Sequence, residues 1–195
     1  LGVYRFGKYA AFVGGIAGGL QFGVIAIAVR VLEGVAPFDP FRVLTDGVFT
    51  AARFDSLVNR RTQGGTVADG VGAARQVPIG TDVVVVALGY NDDPAQMSGR
   101  IDAVMTELRA REVGQVAWVT MSERRATYVA ANQALRAAMS RWSELIVLDW
   151  HAASSHRVAD RWFTDGVHLS ATGRAEYSLF LRDSVVAILS DGYVP

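Results

Sequence analysis

Asp165 and His168 stand three residues apart in Trp162-Phe163-Thr164-Asp165-Gly166-Val167-His168-Leu169-Ser170. A carboxylate at that spacing in a loop can reach back to the imidazole, fix its tautomer and stabilise the imidazolium that forms when the ring takes up a proton. The same letters also suit a capped helix start beside a surface histidine. A second candidate is Asn91, in Leu88-Gly89-Tyr90-Asn91-Asp92-Asp93. Gly89 allows a sharp turn, which leaves the Asn91 amide as a neutral, fixed donor for a developing oxyanion. Gly, Asn and Asp are equally the residues of an ordinary turn. The third is Gly64, in Val58-Asn59-Arg60-Arg61-Thr62-Gln63-Gly64-Gly65-Thr66. A glycine N–H can approach a substrate oxygen closely, although a flexible loop uses the same residues.

These residues need elements to hold them, and the hydrophobic pattern alternates strand with helix. Strands are expected at Tyr9–Val13, Ser56–Arg61, Asp82–Leu88, Gln115–Thr120 and Leu145–Asp149. The unbroken valine run of Asp82–Leu88 suits a strand buried on both faces of a parallel sheet. Helices are expected over residues 18–33, with Leu20, Val24, Ile27 and Val31 on one face, and over 66–75, 97–111, 126–141 and 171–189. In the third of these Ile101, Val104, Met105 and Leu108 recur at core spacing, and in the fourth Tyr128, Ala131, Leu135 and Met139 do. Ser170 is a candidate N-cap, and Pro37 and Pro40 end the first helix. Residues 41–54 have no clear period. The alternation predicts an α/β fold, a three-layer α/β/α arrangement around a five-stranded, mainly parallel sheet, with 1–195 as a single domain. Sites in such sheets form at the carboxyl ends of the strands, which is where all three candidates fall.

Composition narrows the chemistry. The chain has 195 residues, 51% of them apolar and 19% charged, which fits a globular core and excludes a disordered or collagen-like chain. Nineteen basic and nineteen acidic residues cancel, which argues against a nucleic-acid binder. With no cysteine, disulfides, thiolate metal sites and a cysteine nucleophile are ruled out. The three histidines, His151, His156 and His168, lack the spacing of a helical metal pair, so no metal or organic cofactor is expected. Residues 10–29 are apolar except for Gln21 and match the length of a membrane-spanning helix. Five glycines interrupt the run, so a buried strand, a turn and a buried helix is the preferred reading and membrane association is not expected. No charged leader with a cleavage site is visible.

Taken together, Gly64, Gly-x-Asn-Asp and Asp-x-x-His at three strand ends resemble the SGNH (GDSL-type) hydrolases, bacterial serine esterases and lipases. The resemblance runs from about residue 9 to 185, and ALGYND and WFTDGVHLSATG are its most specific stretches. It implies a flavodoxin-like fold and a Ser-His-Asp triad with His168 as general base and Asp165 as its partner. Gly64 and Asn91 would then be the oxyanion-hole donors. It also implies an ester of an acyl lipid or an O-acylated cell-envelope glycan as substrate, and a secreted or envelope location in a bacterium.

The family's first block, Gly-Asp-Ser after the first strand, is absent. Asp55-Ser56-Leu57 is a literal match, but it begins a strand only eight residues before Gly64, which is the wrong architecture. Gly14-Gly15-Ile16-Ala17-Gly18-Gly19 follows the first strand and reads as the family block with one residue missing. The nucleophile is therefore expected between Gly15 and Ile16, as a modified serine absent from the written chain; a true deletion would give a pseudoenzyme. Gly15 also replaces the family's aspartate. Three functions stay open: a serine esterase, an O-acyltransferase using the same site, and a non-catalytic module that binds an acylated glycan. Phe38, Phe41, Phe49, Phe54 and Trp162 could line an acyl pocket, or could be plain core.

Overall fold

The computed structural model describes residues 9–14, 24–30, 56–60, 66–156 and 162–189, the first three segments by their backbone. Strands β1 (Tyr9–Gly14), β2 (Val24–Arg30), β3 (Ser56–Arg60), β4 (Val83–Ala87), β5 (Gln115–Val119) and β6 (Leu145–Leu148) form one six-stranded sheet in the order β3-β2-β1-β4-β5-β6. β1, β4, β5 and β6 run parallel, so Gly14, Ala87, Val119 and Leu148 end at one edge. β2 is antiparallel to both of its neighbours.

β2 corrects two expectations. Residues 24–30 are a strand, not part of a helix over 18–33, and the sheet accordingly has six strands rather than five. The physical reason lies in Val24-Ile25-Ala26-Ile27-Ala28-Val29. Four of these six residues are β-branched, which disfavours a helix and suits a pleated surface. A run apolar at every position also carries no period that separates the two structures. The added strand lies between β1 and β3.

Five helices are described: α1 (Val67–Ala74), α2 (Pro94–Ala110), α3 (Ala126–Ala138), α4 (Trp150–Ser155) and α5 (Ala171–Leu189). α4 was not legible in the sequence. Along β4 the valines alternate. Val84 and Val86 join Val116, Trp118 and the inward residues of α1, α2 and α3; Val83 and Val85 join Ala117, Val119, Trp150 and the α5 residues Tyr177, Leu181 and Val185. Helices thus cover both faces, as a three-layer α/β fold requires. Among the described residues, no helix is long and apolar enough to cross a membrane.

α1 is tethered by a charge. The Asp92 carboxylate, fully buried, accepts the Val67 N–H at 2.9 and 3.1 Å and pairs with Arg100 at 2.5 Å. This places the start of α1, just beyond the Gly64 loop in sequence, against the turn that carries Asn91. Removing one partner of a buried ion pair leaves the other uncompensated. Asp92→Ala should therefore cost about 2–4 kcal/mol in a urea unfolding series, from the orphaned Val67 N–H and Arg100 together. A loss under about 0.5 kcal/mol, the range of an ordinary surface substitution, would show that α1 does not depend on this tether.

Candidate active site

The loop between residues 163 and 169 is closed by its own backbone. Phe163 and Leu169 form an antiparallel bridge, Thr164 N–H donates to the His168 carbonyl at 2.8 Å, and Ser170 N–H donates to the Trp162 carbonyl at 2.9 Å. Trp162, an acyl-pocket candidate, stacks on Trp150 at 5.7 Å between ring centres and forms part of the core that supports this loop. Phe38, Phe41, Phe49 and Phe54 lie outside the described residues. Ser170 accepts Gly173 N–H on its hydroxyl at 3.1 Å and so caps α5, as expected.

At the tip, Asp165 accepts three hydrogen bonds. Its Oδ1 takes the backbone N–H of Val167 at 3.0 Å and of His168 at 2.7 Å; its Oδ2 takes the imidazole Nδ1–H of His168 at 2.5 Å. A carboxylate can only accept, so the proton of this bond lies on Nδ1. Partial desolvation opposes ionisation of Asp165, but the His168 backbone N–H, its imidazole and the Val167 N–H outweigh it and hold the carboxyl down at about 2.

Asn91 sits in the exposed turn after β4. Gly89 makes that turn possible: its φ is +135°, and a Cβ there would lie 2.7 Å from the Met121 sulfur. The turn and the Asp165–His168 loop are joined through Ser122, a buried residue just past β5. Ser122 N–H donates to the Tyr90 hydroxyl oxygen at 2.8 Å, and its own hydroxyl donates to the Gly166 carbonyl at 2.9 Å. Burial pushes the Tyr90 hydroxyl pKa up, so it stays neutral. Next to it, the buried Asn132 side chain accepts Met121 N–H at 2.9 Å and donates to Met121 O at 2.8 Å. Thr120 donates to Asp149 at 3.1 Å and accepts His151 N–H at 2.9 Å, which links the ends of β5 and β6.

Leu88, Tyr90, Met121, Trp150, Val167 and Leu169 enclose a cavity of about 30 Å³. Ala87, which also lines it, faces Gly14 in the β1–β4 ladder, so the cavity borders the end of β1. Gly64 and the Gly15–Ile16 junction lie outside the described residues. Ser56 is the first residue of β3, paired with Ala28; since β3 runs in the same sense as β1, that places it at the opposite sheet edge from His168. Among the described residues there is no cluster of three or more His, Asp or Glu side chains that could hold a metal.

Sequence reasoning missed Ser122, Tyr90, Asp92 and Asn132 because each acts through a partner distant in sequence. The one available signal was position: Tyr90 and Asp92 flank Asn91, and Ser122 follows a strand end.

The fold is shared with a peptidoglycan O-acetylesterase. That solved structure, titled "Peptidoglycan O-acetylesterase in action, 5 min", superposes with a TM-score of 0.53 at 16% identity, over 69% of this chain. The chain spans about half the length of that protein, 50% of it being covered. No family model matches the sequence. No curated protein matches it either.

The Asp165 network has a pH signature. Its folded pKa is depressed, so its stabilising effect is complete above the ordinary aspartate value and is lost as pH falls towards about 2. Carbon-detected NMR of the Asp165 carboxyl should give a midpoint near 2, moving up towards about 3.9 in His168→Ala. An ordinary midpoint in the parent protein would mean that the hydrogen-bonded loop does not persist in solution.

Proposed function

We propose that the chain is an SGNH-type carboxylic ester hydrolase acting on short acyl esters of cell-envelope material, exported from a bacterial cytoplasm. The observation that carries this is the Asp165–His168 pair, with Nδ1–H bound to the carboxylate at the carboxyl edge of the sheet. This reading needs a serine hydroxyl at the Gly15–Ile16 junction, where the sequence shows none; such a hydroxyl would attack the ester carbonyl while His168 Nε2 takes its proton. Asn91 and the Gly64 N–H carry the oxyanion charge. The proton passes from His168 to the leaving alcohol as the carbon–oxygen bond breaks. Water then attacks the acyl-enzyme, again giving a proton to His168, and the carboxylic acid leaves as the serine is restored. A sugar hydroxyl in place of water would make the same site an O-acyltransferase. The likeness in fold to a peptidoglycan O-acetylesterase supports an acylated glycan as substrate, and the small, mainly apolar cavity supports a short acyl group.

The test is hydrolysis of p-nitrophenyl esters of graded chain length. Acetate should be the best substrate and kcat/KM should fall steadily beyond butyrate. His168→Ala should lower kcat by several orders of magnitude with folding intact, because triad members act as a unit. Asn91→Ala should lower kcat by roughly 10²–10³-fold with a smaller change in KM, and Asn91→Asp at least as much, since a carboxylate repels the developing charge. Activity of His168→Ala within tenfold of the parent would end the assignment.

A second reading has its own observation: in the sequence Gly15 is followed directly by Ile16. Without a serine there, the cleft would bind an acylated glycan without turnover. Trypsin cuts after Lys8 and Arg30 and isolates residues 9–30. A peptide heavier than residues 9–30 by at least one serine residue would support the esterase. A mass equal to the written sequence would favour the binding module.

A further inference from the structure

Among the arginines whose side chains are described, all but one have a partner. Arg75, Arg100, Arg109, Arg136 and Arg141 each meet a carboxylate. Arg111 donates to the Val77 carbonyl, Arg174 donates to the Leu169 carbonyl, and Arg125 lies over the Tyr128 ring. Arg124 is exposed, and among the described residues its side chain has no hydrogen bond or ion pair.

It is nevertheless held in place. A Cβ built on Gly166 would lie 3.1 Å from Arg124 Cγ, 3.4 Å from Nε and 3.5 Å from Cδ. The arginine stem therefore occupies the space that the glycine leaves open. Gly166 has φ +86° and lies between Asp165 and His168, so the residue best suited to the turn also creates the seat. Two further bonds fix the relation: Ser122 Oγ–H donates to the Gly166 carbonyl at 2.9 Å, and Arg124 N–H donates to the Ser122 carbonyl at 2.9 Å. A fully charged guanidinium, with its stem packed and its donors unspent, is thus mounted on the loop that carries the general base.

The geometry points to Arg124 as a specificity residue that binds an oxyanionic group, a carboxylate or phosphate, on the substrate next to the ester; this rests on the esterase reading for its place in a reaction. A guanidinium offers a planar fork of N–H donors that matches either group bidentately, and it never loses its charge. With no carboxylate partner among the described residues, it meets such a group without breaking any ion pair among them. A neutral ester gains nothing from it.

Binding is tested without turnover, using inert amides followed by NMR shift titration. The parent should bind 4-acetamidobenzoate or 4-acetamidophenyl phosphate about five- to tenfold more tightly than neutral 4-acetamidobenzamide. The stronger of the two anions identifies the carboxylate or the phosphate as the preferred group. In Arg124→Gln the ratio should fall to about one, and in Arg124→Lys it should recover in part. The parent preference should weaken as salt is raised. Equal binding of anion and amide by the parent, no binding of either anion, or an unchanged ratio in Arg124→Gln would each overturn the proposal. Hydrolysis of 4-acetoxybenzoate and 4-acetoxybenzamide separates it from the reading it rests on. Turnover of both without preference removes the role of Arg124 and leaves the esterase. An anion preference in binding with turnover of neither ester removes the esterase and leaves the anion site.

Discussion

The last rung of the sheet's own ladder here runs from Thr120 N–H to the Leu148 carbonyl, and beyond it buried Ser122 holds the loops in register. Ser122 spends its N–H on Tyr90 and its hydroxyl on Gly166, and so ties the turn after β4 to the loop before α5. A hydrogen bond of this kind contributes only about 1 kcal/mol net, but leaving a buried partner unsatisfied costs about 1–3 kcal/mol. The arrangement is therefore held more by the penalty for losing it than by the gain from making it. Asn132 and Thr120 do the same for the neighbouring residues, each replacing a rung that the strands no longer supply. Chemistry at a sheet edge requires loops, and loops at an edge require such substitutes.

The second constraint is electrostatic. The Asp92 side chain has no exposure, and its carboxylate is met by Arg100 and the Val67 N–H. Its neighbour Asn91 is exposed in the same turn. One short segment thus has adjacent residues with opposite duties, an anion turned inward to fix a helix and a neutral amide left at the surface. Exchanging their charges would break the tether, since a buried amide could not neutralise Arg100.

Legibility in the sequence followed how local each cause was. The valines of β4 declared a two-sided strand because both faces are covered, and Asp165 with His168 was readable because its partners lie within three residues. β2 was misread because an unbroken apolar run looks alike as strand or helix, and only pairing with β1 and β3 decides between them. α4 was missed because six residues, Trp150–Ser155, are too few to show a period; its start is set by Asp149 accepting the Ala152 N–H at 2.9 Å. Ser122 left only its position after a strand end as a signal, since its partners are 32 and 44 residues away.

The Asp165–His168 loop is closed by contacts within a few residues, whereas Asn91 and the end of β1 reach the same edge only through strand pairings distant in sequence. The site therefore has two timescales of assembly. The acid–base pair can form as soon as its own loop closes, on the nanosecond-to-microsecond scale of short-loop closure, while the remainder waits for the slower parallel pairing of the sheet. A chain with β1 detached would keep the hydrogen bonds within the Asp165–His168 loop and lose only the sheet edge beside it.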